Sequence, residues 1–243
     1  MVATMKPRFE IPGLPSYFGS KGAQGTFHRL INAMPAHDVY IEAFAGSGRL
    51  ARIKALAPVA NVVVELDAQL CDLWRSAHGL DVEVYQGSAF DAVPHLVASH
   101  IRRGVQGSRI LVYCDPPYIL ATRRDPRPTY HHEFCDEDHL ALFAMLQALP
   151  CRVMVSHLPC VEYANAFADW HTFTYQNTTR RGLQLEQVWT NYVPSPDLHD
   201  PRFIGATFRE REQVKRQLAI IRRRFAALPP AARIAALAML DAR

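Results

Sequence analysis

Short apolar runs that end in glycine, acidic or proline residues alternate with helix-like stretches along most of this chain. Their length and their β-branched and aromatic side chains predict buried strands over residues 38–44, 61–67, 110–113 and 151–156. Helical periodicity covers residues 49–56, 137–149 and 161–169. Strands that alternate with helices tend to pair in parallel, so we expect an α/β fold with a doubly wound, mostly parallel sheet. Two later runs, 171–175 and 187–192, predict a β-hairpin that closes this sheet.

The length of 243 residues suits one α/β domain with a small appendage. We assign residues 1–193 to the domain, and residues 194–243 to a linker and a helical C-terminal appendage. No apolar run reaches the roughly 18 residues of a membrane span, and residues 1–15 lack the apolar segment of a secretory signal. We therefore expect a cytoplasmic protein that does not enter a membrane.

Cysteine and histidine give no sign of a metal site. The five cysteines show no Cys-x-x-Cys pairing, and His131-His132 is the only adjacent histidine pair. Neither residue type has the spacing of zinc ligands. We expect reduced thiols in the core and no metal.

The tetrad Asp115-Pro116-Pro117-Tyr118 follows the predicted strand 110–113 almost directly. An acid at the carboxyl end of a strand lies where open α/β sheets bind ligands. The two prolines lack backbone donors, so the turn offers the Asp115 carboxylate and the Pro116 carbonyl as acceptors, which suits the exocyclic amine of a nucleobase. Tyr118 would supply a flat surface on which the base stacks. Taken alone, the tetrad is equally typical of a structural proline turn.

A second motif, Ala45-Gly46-Ser47-Gly48, follows the predicted strand 38–44 and precedes a helix. Such a turn lets a ligand approach the backbone closely. It lacks both the three-glycine dinucleotide fingerprint and the lysine of a phosphate loop. Glu65 and Asp67 end the next strand, where α/β folds hold ribose hydroxyls, although a solvated strand end is an equally good explanation for each. A nucleoside cofactor without phosphates points to S-adenosylmethionine and methyl transfer.

From about Tyr17 to Tyr192, these motifs and their order resemble the Dam-type, alpha-class DNA adenine N6-methyltransferases. Tyr17-Phe18-Gly19-Ser20-Lys21 is similar to the N-terminal motif of that family, with Ser20 in place of its second glycine. The segments 42–48 and 115–118 are similar to its cofactor loop and its catalytic tetrad. Weaker similarities cover residues 136–140 and 186–192.

The resemblance implies a sheet of the S-adenosylmethionine-dependent methyltransferase type, S-adenosylmethionine as the cofactor, and a flipped adenine in DNA as the substrate. It implies catalytic roles for the tetrad. The cofactor-binding residues that it implies, with the two strand-end acids, are Tyr17, Lys21, Glu42, Phe44, Ala45, Gly46, Gly48, Glu65, Asp67, Ser88 and Asp115.

This chain departs from the family pattern in two respects. Ser88 stands where many members have an acid that contacts the cofactor adenine, which puts the affinity for the cofactor in doubt. Only 26 residues separate Ser88 from Asp115, where typical members insert a target-recognition domain. We therefore expect short or relaxed sequence specificity.

Two basic segments are candidates for contact with nucleic acid. The loop after the tetrad contains Arg123, Arg124, Arg127 and Tyr130, which could hold phosphates and stack bases. Residues 202–243 contain ten basic and three acidic residues, a net charge of +7, whereas the rest of the chain carries −3. Arg222 and Arg223 lie there on a predicted amphipathic helix, whose basic run is equally well explained as a solvated surface. The apolar side of this helix could pack on the enzyme itself or mediate a homodimer.

Three other functions remain open. The same tetrad can act on adenine in RNA, and the short interval before Asp115 makes this the strongest alternative. Methylation of the cytosine amine is less favoured because families that act on it often have Ser in place of the tetrad aspartate. The third alternative is a catalytically inactive nucleic-acid-binding module with the same fold, against which the intact Asp115 and Tyr118 argue.

Overall fold

The computed structural model describes residues 8, 10–13, 26–77, 81–123, 127, 132–179, 182–205 and 207–241. Seven strands lie within these residues: β1 (Val39–Ala43), β2 (Ala60–Glu65), β3 (Glu83–Gln86), β4 (Ile110–Cys114), β5 (Arg152–His157), β6 (His171–Thr179) and β7 (Gly182–Thr190). The α-helices of the same residues are α1 (Thr26–Asn32), α2 (Arg49–Ile53), α3 (Ala68–Arg75), α4 (Ala89–Arg102), α5 (Asp136–Ala148), α6 (Val161–Ala166), α7 (Phe208–Ala227) and α8 (Pro230–Asp241).

The strands form one sheet in the order β3-β2-β1-β4-β5-β7-β6. Pairing is parallel from β3 to β5, whereas β7 runs antiparallel to both β5 and β6. From β1 the chain proceeds outward to β3 and then returns to β4 on the other side, so the strand order reverses between β1 and β4. Ligands of open α/β sheets bind at the carboxyl ends of the strands beside such a point. The predicted doubly wound sheet with its closing hairpin is confirmed.

The two faces of the sheet differ in polarity. On one side, which we call the apolar face, alternate strand residues such as Ile41, Val112 and Trp189 form a core with α4, α5 and α6. Because side chains alternate along a strand, the neighbouring residues point to the opposite side, the polar face. Buried polar residues of that face include Tyr40, Glu42, Tyr113, Ser156 and Glu186.

The closing hairpin is longer than the sequence predicted, because polar side chains satisfy one another inside it. Asn177 Nδ2 donates to Glu186 Oε1 at 2.7 Å, and the Tyr175 hydroxyl donates to Glu186 Oε2. Thr26 Oγ1, at the start of α1, donates to Asn177 Oδ1 at 3.0 Å. These bonds let a polar stretch of sequence continue as a buried part of the sheet.

Two helices are shorter than predicted. The helix expected over 49–56 ends at Ile53, because Lys54 has an extended backbone and a fully buried side chain whose ammonium donates to the carbonyl of Ala55 at 2.9 Å. The helix expected over 161–169 ends at Ala166, where a turn begins that leads into β6.

The chain divides into two compact units, residues 1–200 and residues 201–243. The second unit contains α7 and α8, so the predicted helical appendage is present. No residue of α7 is buried. None of the helices in the described ranges is long and apolar enough to cross a membrane.

Candidate active site

The turn after β1 is shaped by glycine and tryptophan. Phe44, Gly46 and Gly48 all have positive φ, at 57°, 49° and 51°. Trp74 of α3 lies beneath the turn, where its Nε1 donates to the Gly46 carbonyl at 2.9 Å. A Cβ on Gly48 would lie 2.1 Å from the Trp74 ring, so this position requires glycine for close approach as well as for its backbone conformation. The sequence analysis identified the glycines and missed Trp74.

Glu65 connects the turn after β1 with the end of β2. Its Oε2 accepts a hydrogen bond from the Gly46 N–H at 2.8 Å. Its Oε1 accepts from the N–H groups of Leu66 and Asp67 at 2.8 and 3.0 Å. The carboxylate predicted to hold the cofactor ribose therefore also fixes the backbone of two neighbouring loops.

The other two cofactor candidates on this side of the sheet cap helices. Asp67 Oδ1 accepts from the N–H groups of Gln69 and Leu70, at the start of α3. The Ser88 hydroxyl accepts from the N–H of Phe90 at 3.2 Å, at the start of α4. Both residues have the β-region backbone typical of an N-cap.

Glu42 is buried directly before the turn. Its Oε2 accepts from the Tyr40 hydroxyl at 2.9 Å and from the Ala51 N–H at 2.8 Å. Burial raises the pKa of Glu42 to about 7, against the opposing effects of these hydrogen bonds and of Lys54. Burial also lowers the pKa of Lys54 to about 7. Both groups therefore lie in a region that disfavours charge.

The tetrad follows β4, and its acid is held by hydroxyl groups. Asp115 is half-buried, and its Oδ1 accepts from Ser156 Oγ at 3.0 Å and from the Tyr118 hydroxyl at 3.3 Å. Ser156 is in turn 2.9 Å from the Tyr113 hydroxyl. Neither Tyr113 nor Ser156 was identified from sequence, since serine and tyrosine within a strand carry no distinctive signal.

Tyr118 is only 7% exposed, and its ring makes an edge contact with His157 at 4.9 Å. His157 Nε2 accepts from the Ile119 N–H at 2.9 Å, which leaves Nδ1 to donate to the Leu158 carbonyl at 2.8 Å. These two bonds fix the imidazole in one neutral tautomer. Its Nε2 thereby holds the backbone directly after the tetrad. The stacking of a base on Tyr118 stays a prediction.

Three aromatic rings come together beside the turn after β1. Phe134 makes an edge contact with Phe44 at 5.5 Å and stacks on Phe90 at 5.8 Å. Phe44 belongs to the predicted cofactor loop, and Phe90 lies two residues after Ser88. The cluster therefore brings apolar surface to the side of the sheet where the cofactor candidates lie.

The basic residues of the tetrad loop have different surroundings. Arg123 forms a two-bond ion pair with Glu133, at 2.9 and 2.6 Å, and its Nε donates to the Tyr118 carbonyl at 2.8 Å. These bonds hold Arg123 within the loop, and the phosphate contact that the sequence analysis expected of it stays a prediction. Arg127 is exposed, as are Arg222 and Arg223 in α7.

Four predicted site residues, Tyr17, Lys21, Arg124 and Tyr130, lie outside the described residues. Within the described ranges, no group of three or more His, Cys, Asp and Glu side chains could hold a metal ion. The remaining candidates of the tetrad and the cofactor loop lie at the carboxyl ends of β1, β2, β3 and β4.

The sequence matches no protein-family model and none of the curated proteins. Many solved structures are similar in fold, including the following three. An rRNA methylase from Streptococcus thermophilus is 11% identical with a TM-score of 0.43, and the alignment covers 69% of this chain and 94% of that one. A SAM-dependent methyltransferase from Agrobacterium tumefaciens is 10% identical with a TM-score of 0.43, covering 68% and 60%. A dimethyladenosine transferase from Plasmodium falciparum is 11% identical with a TM-score of 0.41, covering 70% and 61%. Similarity at this level does not identify a substrate.

Proposed function

We propose that this protein transfers a methyl group from S-adenosylmethionine to the exocyclic amine of adenine in nucleic acid, with DNA as the expected substrate. One observation carries the proposal. Ala43 and Cys114, the last residues of β1 and β4, pair in register, so the glycine turn and the Asp115 turn leave the sheet side by side. A cofactor on the first turn would therefore lie next to a base on the second.

The residues around the first turn fit this cofactor. The carboxylates of Glu65 and Asp67 are acceptors for ribose hydroxyls, and three backbone bonds use only three of the four acceptor positions of Glu65. Phe44 and Phe90 offer apolar surface to the adenine ring. The turn lacks the three-glycine dinucleotide fingerprint and the lysine of a phosphate loop, so a cofactor with phosphate groups is not favoured. Tyr17 and Lys21 complete this proposed set by resemblance.

The tetrad supplies acceptors for the amine. The cofactor contributes an electrophilic methyl group on a sulfonium. The Asp115 carboxylate and the Pro116 carbonyl accept hydrogen bonds from the two amine protons, which turns the nitrogen lone pair towards that methyl group. Tyr118 borders the base. Positioning of this kind accounts for most of the proposed rate acceleration.

Access to the amine requires that the adenine leave the stack, since the tetrad cannot reach it within a duplex. Exposed Arg127, Arg222 and Arg223 are the described candidates for phosphate contact, together with Arg124 and Tyr130 of the tetrad loop. We give Arg123 a role within the loop. We also propose that the exposed apolar side chains of α7 and α8 contact a second subunit, and that the enzyme acts in the cytoplasm on the nucleoid.

One observation favours RNA as the second candidate substrate. The interval from Ser88 to Asp115 is described throughout, and it contains only α4, the 3₁₀ turn Gly107–Arg109 and β4. A recognition domain for a DNA sequence does not fit there. Loose recognition of DNA and recognition of a structured RNA both agree with this arrangement.

Transfer of a tritiated methyl group from S-adenosylmethionine to DNA and to RNA, followed by nucleoside analysis, tests the proposal. We expect N6-methyladenine in DNA. Asp115→Ala should lose transfer and largely keep cofactor binding, because the proposed role of its carboxylate is to accept the amine, and Asp115 is only one of the proposed cofactor-binding residues. Asp169→Ala, which removes an exposed acid, is the matched control and should leave transfer unchanged.

Each other result has a defined meaning. Label in RNA alone would move the substrate to RNA. Cofactor binding without transfer to any nucleic acid would support the inactive binding module. Near-normal transfer by Asp115→Ala would refute the assignment of the tetrad. Methylation-sensitive sequencing of DNA from cells that express the protein would then report the sequence context.

A further inference from the structure

A chain of buried hydroxyl groups leads from the interior of the sheet to Asp115. The Tyr113 hydroxyl lies 2.9 Å from Ser156 Oγ, which donates to Asp115 Oδ1 at 3.0 Å. Ser156 is fully buried and Tyr113 is 1% exposed. Tyr113 lies on β4 and Ser156 on β5, so the chain connects two neighbouring strands of the polar face.

The direction of this chain follows from the number of protons. A serine hydroxyl has one proton, and Ser156 uses it towards Asp115. The bond between Tyr113 and Ser156 must then be donated by Tyr113. Burial and the charge of Asp115 raise the pKa of Tyr113 well above its ordinary value, so the phenol keeps its proton and remains a donor.

Two buried acids of the polar face, Glu42 and Glu186, each accept a hydrogen bond from a tyrosine. Tyr40 donates to Glu42, and Tyr175 donates to Glu186. Tyr113 lies between them in the sheet, paired in register with Glu42 across β1 and β4. Its hydroxyl nevertheless bonds to Ser156, which directs it to Asp115.

The fold alone does not require this pair of hydroxyl groups. A phenylalanine and an alanine would fill nearly the same space, and replacement of both partners of a buried hydrogen bond by apolar groups of the same shape is close to neutral for stability. The Ser156 bond and the weaker Tyr118 bond meet at the same oxygen, Oδ1, and thereby fix the rotation of the Asp115 carboxylate.

We propose that Ser156 and Tyr113 are positioning residues of the methyl transfer, which hold the Asp115 carboxylate in the orientation that accepts the adenine amine. This inference rests on the proposed function. It assigns no contact with substrate to either residue: Ser156 acts on Asp115, and Tyr113 acts only through Ser156.

Kinetic measurements on Ser156→Ala, Tyr113→Phe and the double variant test the inference. A carboxylate that is free to rotate should lower kcat by about 10- to 100-fold, because small errors of position are costly in transfer reactions. The KM for nucleic acid and the Kd for S-adenosylmethionine should stay within about twofold of wild type, since neither residue contacts the ligands. The double variant should match Ser156→Ala, because the hydrogen bond of the Tyr113 hydroxyl reaches Asp115 through Ser156.

Tyr175→Phe is the matched control. It removes the hydroxyl of another buried tyrosine on the same face, whose hydrogen bond goes to Glu186 and not to Ser156 or Asp115. Its kcat should be that of wild type even if its thermal stability falls. If Ser156→Ala fails to fold because it leaves the Tyr113 hydroxyl without its Ser156 partner, the double variant lacks both hydroxyls and still supports the measurement.

The outcomes separate this inference from the proposed function. If wild type transfers methyl groups, Asp115→Ala does not, and the double variant keeps wild-type kcat, the positioning role is overturned while the proposed function stands. A lower kcat for the double variant than for Ser156→Ala would overturn the order of the chain. Absence of transfer by wild type to DNA and RNA would overturn the proposed function itself.

Discussion

The turns that leave β1 and β4 lie side by side, yet they are held in different ways. The turn after β1 is fixed by backbone hydrogen bonds to Glu65 and by the packing of Trp74 against Gly48. The turn after β4 is fixed by side-chain hydroxyls on Asp115 and by Arg123 on the Tyr118 carbonyl. A substitution in a turn that is part of the packed core should change ligand binding and stability together. A substitution in a turn held by side chains should have less effect on the fold.

Gly48→Ala should give the largest effect and change stability and cofactor binding together. The new Cβ would lie 2.1 Å from the Trp74 ring at a φ of +51°. We expect a loss of about 2–4 kcal/mol in the free energy of unfolding, from a left-handed backbone and overpacking. Urea unfolding and titration with S-adenosylmethionine measure the two effects.

Gly104→Ala is the control for backbone strain alone. Gly104 also has a positive φ, at +92°, but a Cβ there would meet nothing within 4 Å. It should cost about 1–2 kcal/mol, as expected for the backbone term, and leave cofactor binding unchanged. If the two variants were equally stable, the contact between Gly48 and Trp74 would not define the turn.

The second prediction concerns Glu42 of β1 and the pH dependence of the free energy of unfolding. Because burial raises the folded-state pKa of Glu42 from 4.5 to about 7, the folded protein binds a proton that the unfolded chain releases. The contribution of Glu42 to stability is then fully present below about pH 4.5 and is lost as the pH rises to about 7, by up to about 3 kcal/mol.

Glu42→Gln keeps the shape of the side chain and an acceptor for Tyr40 and Ala51, but does not titrate. We expect the variant to lose that decline of stability between pH 4.5 and 7. Denaturant unfolding at several pH values, for wild type and variant in parallel, is the measurement. An unchanged pH profile would mean that Glu42 is ionised throughout this range.

The sequence predicted the framework of both turns and little of what supports them. Apolar periodicity and glycine at strand ends locate β1, β4 and their turns, because these signals are local. Trp74 and Ser156 act on residues 28 and 41 positions away along the chain, through bonds that only the folded sheet creates. Sequence spacing contains no information on such contacts.

The same lack of information on distant contacts explains why the sequence analysis did not identify the ion pair of Arg123. An arginine in a polar loop next to a predicted site is a reasonable candidate for phosphate contact, and the solvated alternative is equally local. Its partner Glu133 is ten residues further along the chain, beyond a stretch with two prolines. Only the folded chain brings the two side chains together.

Arg123→Ala tests the turn after β4 and should cost less stability than Gly48→Ala. The Arg123 and Glu133 side chains are 10% and 19% exposed, so their ion pair is screened only in part. We expect a loss of about 1.5–3 kcal/mol in the free energy of unfolding, as for hydrogen bonds to charged groups. The kcat should also fall, because Arg123 holds the Tyr118 carbonyl.

Arg75→Ala is the matched control, since Arg75 pairs with Asp72 on the surface of α3 with side chains that are 45% and 77% exposed. Exposed pairs of this kind contribute about 0.3–0.5 kcal/mol. Chemical denaturation of both variants measures the two stability losses, and steady-state kinetics measures the change in kcat. Equal stability losses with an unchanged kcat for Arg123→Ala would mean that the Asp115 turn is held by its own backbone, and the contrast with the turn after β1 would disappear.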